Sequence, residues 1–121
     1  MNNNQVHPND DLWYAIENNG LNDFSEADIK DIVAEVPGEN DEYSWYWILK
    51  LTNKKYALLS GWCDYTGWDC QSGLKTLGVY NTALQAANAA PKEEECSKRF
   101  IRLNLVNQIK GKYPKFTYWS E

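Results

Sequence analysis

Tyr43-Ser44-Trp45-Tyr46-Trp47-Ile48-Leu49-Lys50-Leu51 is the stretch whose period decides the fold. Tyr43, Trp45, Trp47, Leu49 and Leu51 alternate with Ser44, Tyr46, Ile48 and Lys50. Successive side chains of a strand point to opposite faces, so this spacing predicts a strand buried on its odd-numbered face. Trp45 and Trp47 on that stripe read as core, where their large apolar area is removed from water. Thr52-Asn53-Lys54-Lys55 is polar and turn-like, and Tyr56 to Ser60 resumes as the return strand of a hairpin. Leu74 to Tyr80 has strand composition again, after an interruption running from Gly61 to Gly73.

Toward the N-terminus, residues 1–9 are polar and Asn-rich and are expected to be mobile, leaving 10–121 as one domain. Asp10 or Asp11 can cap a short helix through about Asn18, with Leu12, Trp13 and Ile16 on one side and Asn19-Gly20 as its stop. Ser25-x-x-Asp28 is a loose capping box. Ile29, Ile32, Val33 and Val36 follow it at helical spacing, and Pro37-Gly38 ends the run. This pattern predicts a second helix whose outer face carries Asp28, Asp31 and Glu35. Beyond the strands, Thr82-x-x-Gln85 opens an Ala-rich helix to about Ala90. Pro91 then resets the chain for a longer helix over Lys92 to Lys110, with Glu93, Glu94 and Glu95 favouring its start and Gly111 its stop. The aromatic tail from Tyr113 to Trp119 is expected to pack on the body. The order α-α-β-β-loop-β-α-α predicts an α+β fold: a small three-stranded antiparallel sheet flanked by about four helices on one face.

Composition narrows the function classes. The chain of 121 residues suits one domain, and no run approaches the ~18 apolar residues of a membrane span. Met1-Asn-Asn-Asn-Gln5 has neither a basic nor an apolar segment of a secretory signal, so a cytoplasmic location is expected. Seventeen acids against 12 bases give a net charge of −5. Eleven of those acids lie between Asp10 and Glu42 with Lys30 as the one base. Such a surplus argues against a nucleic-acid backbone as partner, because affinity there comes from Lys and Arg. The basic residues Lys98, Arg99, Arg102 and Lys110 to Lys115 fit ordinary helix and tail surface. An acidic face either keeps a domain soluble or steers it toward a basic protein.

The interruption, Gly61-Trp-Cys-Asp-Tyr-Thr-Gly-Trp-Asp-Cys-Gln-Ser-Gly73, concentrates low-frequency side chains. Loops of this length inside compact domains tend to be functional or to pack under themselves. Cys63-Asp64-Tyr65-Thr66-Gly67-Trp68-Asp69-Cys70-Gln71-Ser72 resembles a signature of small uncharacterised bacterial and bacteriophage proteins. The resemblance covers about a tenth of the chain. It implies a phage or mobile-element setting and carries no activity with it.

Four chemistries compete for this segment. Trp and Cys can be buried anchors, with the glycines supplying positive φ and the aspartates closing Asx turns. Trp62, Tyr65 and Trp68 can be interface aromatics ringed by Asp64 and Asp69. Cys63, Cys70, Cys96 and His7 can make a metal set, or Cys63 and Cys70 a disulfide, although C-x6-C is not close zinc spacing. Asp64 and Asp69 can be an acid/base pair, or a thiolate can attack with His7 as base, although that lone His lies far away in sequence.

The reading that follows is a non-enzymatic protein-binding module with no cofactor, metal or catalytic residue, whose partner has a basic surface. Its centre is Trp62, Asp64, Tyr65, Trp68 and Asp69, with Asp28, Asp31 and Glu35 supplying steering charge. A phage-encoded inhibitor of a host defence nuclease is the sharpest form of this reading. The alternatives are a small ligand-binding or hydrolytic domain with its site in the 61–73 loop, and a metal-stabilised module.

Overall fold

The computed structural model of the chain describes residues 10–93 and 99–112. The N-terminal segment 1–9, Glu94, Glu95, Cys96 and the aromatic tail lie outside the described residues, as does His7. Four strands run in the order β1-β2-β3-β4, each antiparallel to the next: β1 (Ile29–Val36), β2 (Trp45–Leu51), β3 (Tyr56–Cys63) and β4 (Ser72–Tyr80). Three helices accompany them among the described residues, α1 (Asp10–Asn19), α2 (Ala83–Ala89) and α3 (Ile101–Lys112). The α+β class stands. The three-stranded sheet with four helices does not, because the order is α-β-β-β-β-α-α.

The difference lies in residues 25–36. Ser25 N–H donates to the Asp28 carboxylate at 3.0 Å, as a capping pair should, but closes only a 3-10 turn over Glu26–Asp28. The chain then enters β1. Its pairing with β2 slips between Ile29 and Asp31 and again between Ile32 and Ala34. Each bulge shifts the two-residue alternation by one position. The apolar residues Ile29, Ile32, Val33 and Val36 therefore fall at spacings that imitate one face of a helix. All four are β-branched, a side-chain shape that favours the pleated state.

Both faces of the sheet are covered, so β2 is buried on its even-numbered side as well as its odd one. Trp45, Trp47, Leu49 and Leu51 pack with Leu12, Ala15 and Ile16 of α1 and with Trp68. Tyr46 and Ile48 face the opposite layer, where Ala83, Ala86 and Ala87 of α2 and Ile101, Leu105 and Ile109 of α3 fill the core. α2 begins as its motif predicts, with Gln85 N–H donating to the Thr82 hydroxyl at 3.0 Å. α3 starts at Ile101 rather than Lys92 and runs through Gly111, so Glu93 does not face a helix N-terminus. Arg102 N–H groups meet Pro91 and Ala90 carbonyls, and Arg99 meets those of Pro37 and Ser44, which ties the start of α3 to the end of α2 and to the β1–β2 connection. No helix among the described residues is long and apolar enough to cross a membrane.

Candidate functional site

β3 runs on to Cys63 and β4 begins at Ser72, so the interruption shortens to residues 64–71. Asp64 shapes it. Its backbone N–H donates to Gln71 O at 3.0 Å, and its carboxylate accepts from the Thr66 N–H at 2.9 Å and from the Thr66 hydroxyl. Such an Asx turn folds the chain back on itself. Gly67 follows at φ 104°, a conformation that needs no Cβ.

The turn throws Trp68 inward. Only 8% exposed, it lies 4.9 Å from the Trp45 ring and 6.4 Å from that of Trp47. Its indole N–H donates to the Asp11 carboxylate at 3.0 Å, and Trp45 donates to the same carboxylate at 3.3 Å. A Cβ at Gly61 would stand 3.0 Å from the Trp47 ring and 3.1 Å from that of Trp68, so glycine admits both. Trp68 therefore belongs to the core.

Trp62 and Tyr65 point the other way, 50% and 78% exposed. Trp62 sits in β3 opposite Gly73, where any Cβ would overlap its indole, so the missing side chain lets the ring lie across β4. Of the three loop aromatics expected together, the structure leaves two at the surface and buries one.

The acids separate as well. Asp31 pairs with Lys50 and Lys50 with Tyr56, whereas Trp62 lies six residues farther along β3, or ~20 Å at ~3.3 Å per residue. Asp28 precedes β1 at the same far end, its carboxyl held below the ordinary range by the Ser25 N–H and hydroxyl. Glu35 lies beside Trp47 and accepts its indole N–H at 2.8 Å. Burial raises the Glu35 carboxyl; the Trp47 bond opposes that rise and the nearby Asp11 charge adds to it. These three acids share no helix face, because the helix that would have displayed them is the turn and strand of residues 26–36.

A different acidic run takes their place beside the aromatics. Glu39 N–H and the Tyr43 carbonyl pair at 3.0 Å to form a tight turn, and Asp41 N–H donates to Cys63 O at 2.8 Å. Exposed Glu39, Asp41 and Glu42 thus stand at the end of the sheet that bears Trp62 and Tyr65. The β2–β3 register, with Trp45 opposite Gly61, brings the start of β2 beside the end of β3, and the Asp41–Cys63 bond extends that link to the turn.

The thiols offer little chemistry. Cys63 is buried, Cys70 is exposed, and both are free. Burial and the neighbouring Asp11 and Asp64 charges push the Cys63 thiol up, away from nucleophilic thiolate. Among the described residues no three His, Cys, Asp or Glu side chains group as metal ligands. The remaining concavity here is a cleft of about 430 Å³ between α1 and the loop, lined by Tyr14, Glu17, Asn18, Trp68 and Asp69. No protein-family model, curated protein or solved structure matches the chain.

Proposed function

We propose that this protein is a non-enzymatic, cytoplasmic protein-binding module that presents an acidic surface with exposed aromatics to a basic partner. The observation that carries this reading is the Asp41–Cys63 hydrogen bond, which sets the Glu39–Glu42 turn beside the strand that carries Trp62. Exposed Trp and Tyr are the residue types that dominate binding hot spots, and a patch of like charge beside them steers a complementary partner and opposes acidic competitors. Asp64 supports the surface by folding the turn that carries Tyr65, rather than by acting as half of a catalytic carboxyl pair. The loop's resemblance to phage proteins makes a host defence nuclease the first partner to test, its basic nucleic-acid groove being the natural complement.

The test is capture of purified defence nucleases by the tagged full-length chain. Trp62→Ala with Tyr65→Ala should weaken capture by about a hundredfold. Glu39→Lys with Glu42→Lys should slow association by about tenfold at low salt, and less at high salt. Capture that survives both pairs of changes overturns the placement of the surface.

A further inference from the structure

We propose that the cleft between the last turn of α1 and the 64–71 loop receives one cationic side chain of the partner, an arginine guanidinium. This deepens the binding reading above and rests on it. The lining combines two aromatic rings with two carboxylates and includes no basic residue. Tyr14 is half-exposed and supplies the accessible ring, while Trp68, 8% exposed, closes the floor. A planar cation stacks on an exposed ring such as that of Tyr14 and forms paired hydrogen bonds to a carboxylate, a geometry an ammonium group does not match.

The position carries no neutralising charge of its own helix. α1 has no basic residue in its last turn, and although amide groups of Asn18, Asn19 and Gly20 cap its last carbonyls, the Glu17 carboxylate there meets no cation on that turn. Asn18 directs its amide N–H to the Tyr14 carbonyl at 2.8 Å, leaving its side-chain oxygen as a further acceptor. Glu17 and Asp69 therefore flank a spot that a cation alone would relieve.

The walls are preset. Trp68 is fixed by Asp11 and by Trp45, and the end of α1 is tied to the start of β4 by Asn19 Nδ2 donating to the Ser72 hydroxyl at 3.0 Å. A cleft of about 430 Å³ has room for one long side chain. Such rigidity lowers the ordering cost of binding.

The experiment titrates the labelled full-length chain with N-acetyl-arginine methylamide and follows the Trp68 indole N–H resonance. N-acetyl-citrulline methylamide, the neutral isostere, is the control. A saturable shift with the arginine probe and none with citrulline is expected. Glu17→Gln combined with Asp69→Asn, both isosteric surface changes, should weaken the probe by about tenfold, and Glu26→Gln, in the turn before β1, should leave it unchanged. An equal response to citrulline, or full binding by the Glu17/Asp69 variant, overturns the assignment. If the Trp62/Tyr65 variant loses its partner while the arginine probe fails to bind, the cleft assignment falls and the binding reading stands. If the probe binds and no partner is sensitive to Trp62 or Tyr65, the reverse holds.

Discussion

Three buried indoles and two carboxylates organise one face of the sheet. Trp45 and Trp68 donate to Asp11, and Trp47 donates to Glu35. A buried indole N–H left without an acceptor costs about 1–3 kcal/mol, so a tryptophan-rich layer needs acceptors drawn inside with it. The two acids that serve here are held close enough for the Asp11 charge to raise the Glu35 carboxyl further. A folded-state pKa above the unfolded one means that the native state binds the proton more tightly. Glu35 therefore favours folding below the ordinary carboxylate range, and that contribution is lost as pH rises through its raised value. Glu35→Gln keeps an oxygen for Trp47 and removes the charge. Urea midpoints should be higher for the variant than for the wild type at pH 7.5, and the gap should narrow as pH falls toward 4. A gap that widens on acidification contradicts this account.

At the scale of elements, β1 is an edge strand, and one side chain of α3 meets its open hydrogen-bonding edge. Gln108 Oε1 accepts from the Glu35 N–H at 2.9 Å, and its Nε2 donates to the Glu35 carbonyl at 2.7 Å. The side-chain amide thus stands in for a neighbouring strand at one residue, blunting an edge that is open to pairing with other chains. Gln108→Ala removes both bonds. It should lower stability by about 1–2 kcal/mol in urea unfolding and raise the concentration-dependent association seen by sedimentation. An unchanged midpoint would show that water replaces the amide without loss. This contact, like the two bulges that disguise β1 as a helix, has no trace in local sequence. Thr82-x-x-Gln85 is the opposite case, because both its donors and its acceptors lie within four residues of one another.

Over the whole molecule, the net charge of −5 says less than its placement. Eleven acids between Asp10 and Glu42 are spread over α1, the 20–28 connection, β1 and the 39–42 turn. Two variants separate these contributions. Glu39→Lys with Glu42→Lys and Glu26→Lys with Asp31→Lys each bring the net charge from −5 to −1. If the local surface steers a partner, the first pair slows association by about tenfold and the second by less than about twofold, measured by surface plasmon resonance at low salt on whichever protein the capture experiment recovers. Equal slowing by both pairs would assign steering to net charge alone.

The sequence by itself determined the β2–β3 hairpin, the α2 cap, α1 and the α+β class. Each rests on side chains close together in the chain: a two-residue alternation, a capping box, a polar turn. It also singled out the loop and placed Asp64, Tyr65 and Trp68 within it. Tertiary structure decided which aromatics stay in water, since Trp68 turns inward only because Asp11, Trp45 and Gly61 leave it an acceptor and a space. It likewise decided which acids lie beside Trp62 and Tyr65, by making residues 29–36 a strand rather than a helix and by bonding residue 41 to residue 63. A strand's bulges and a side chain's exposure are set by partners distant along the chain, and no local pattern records them.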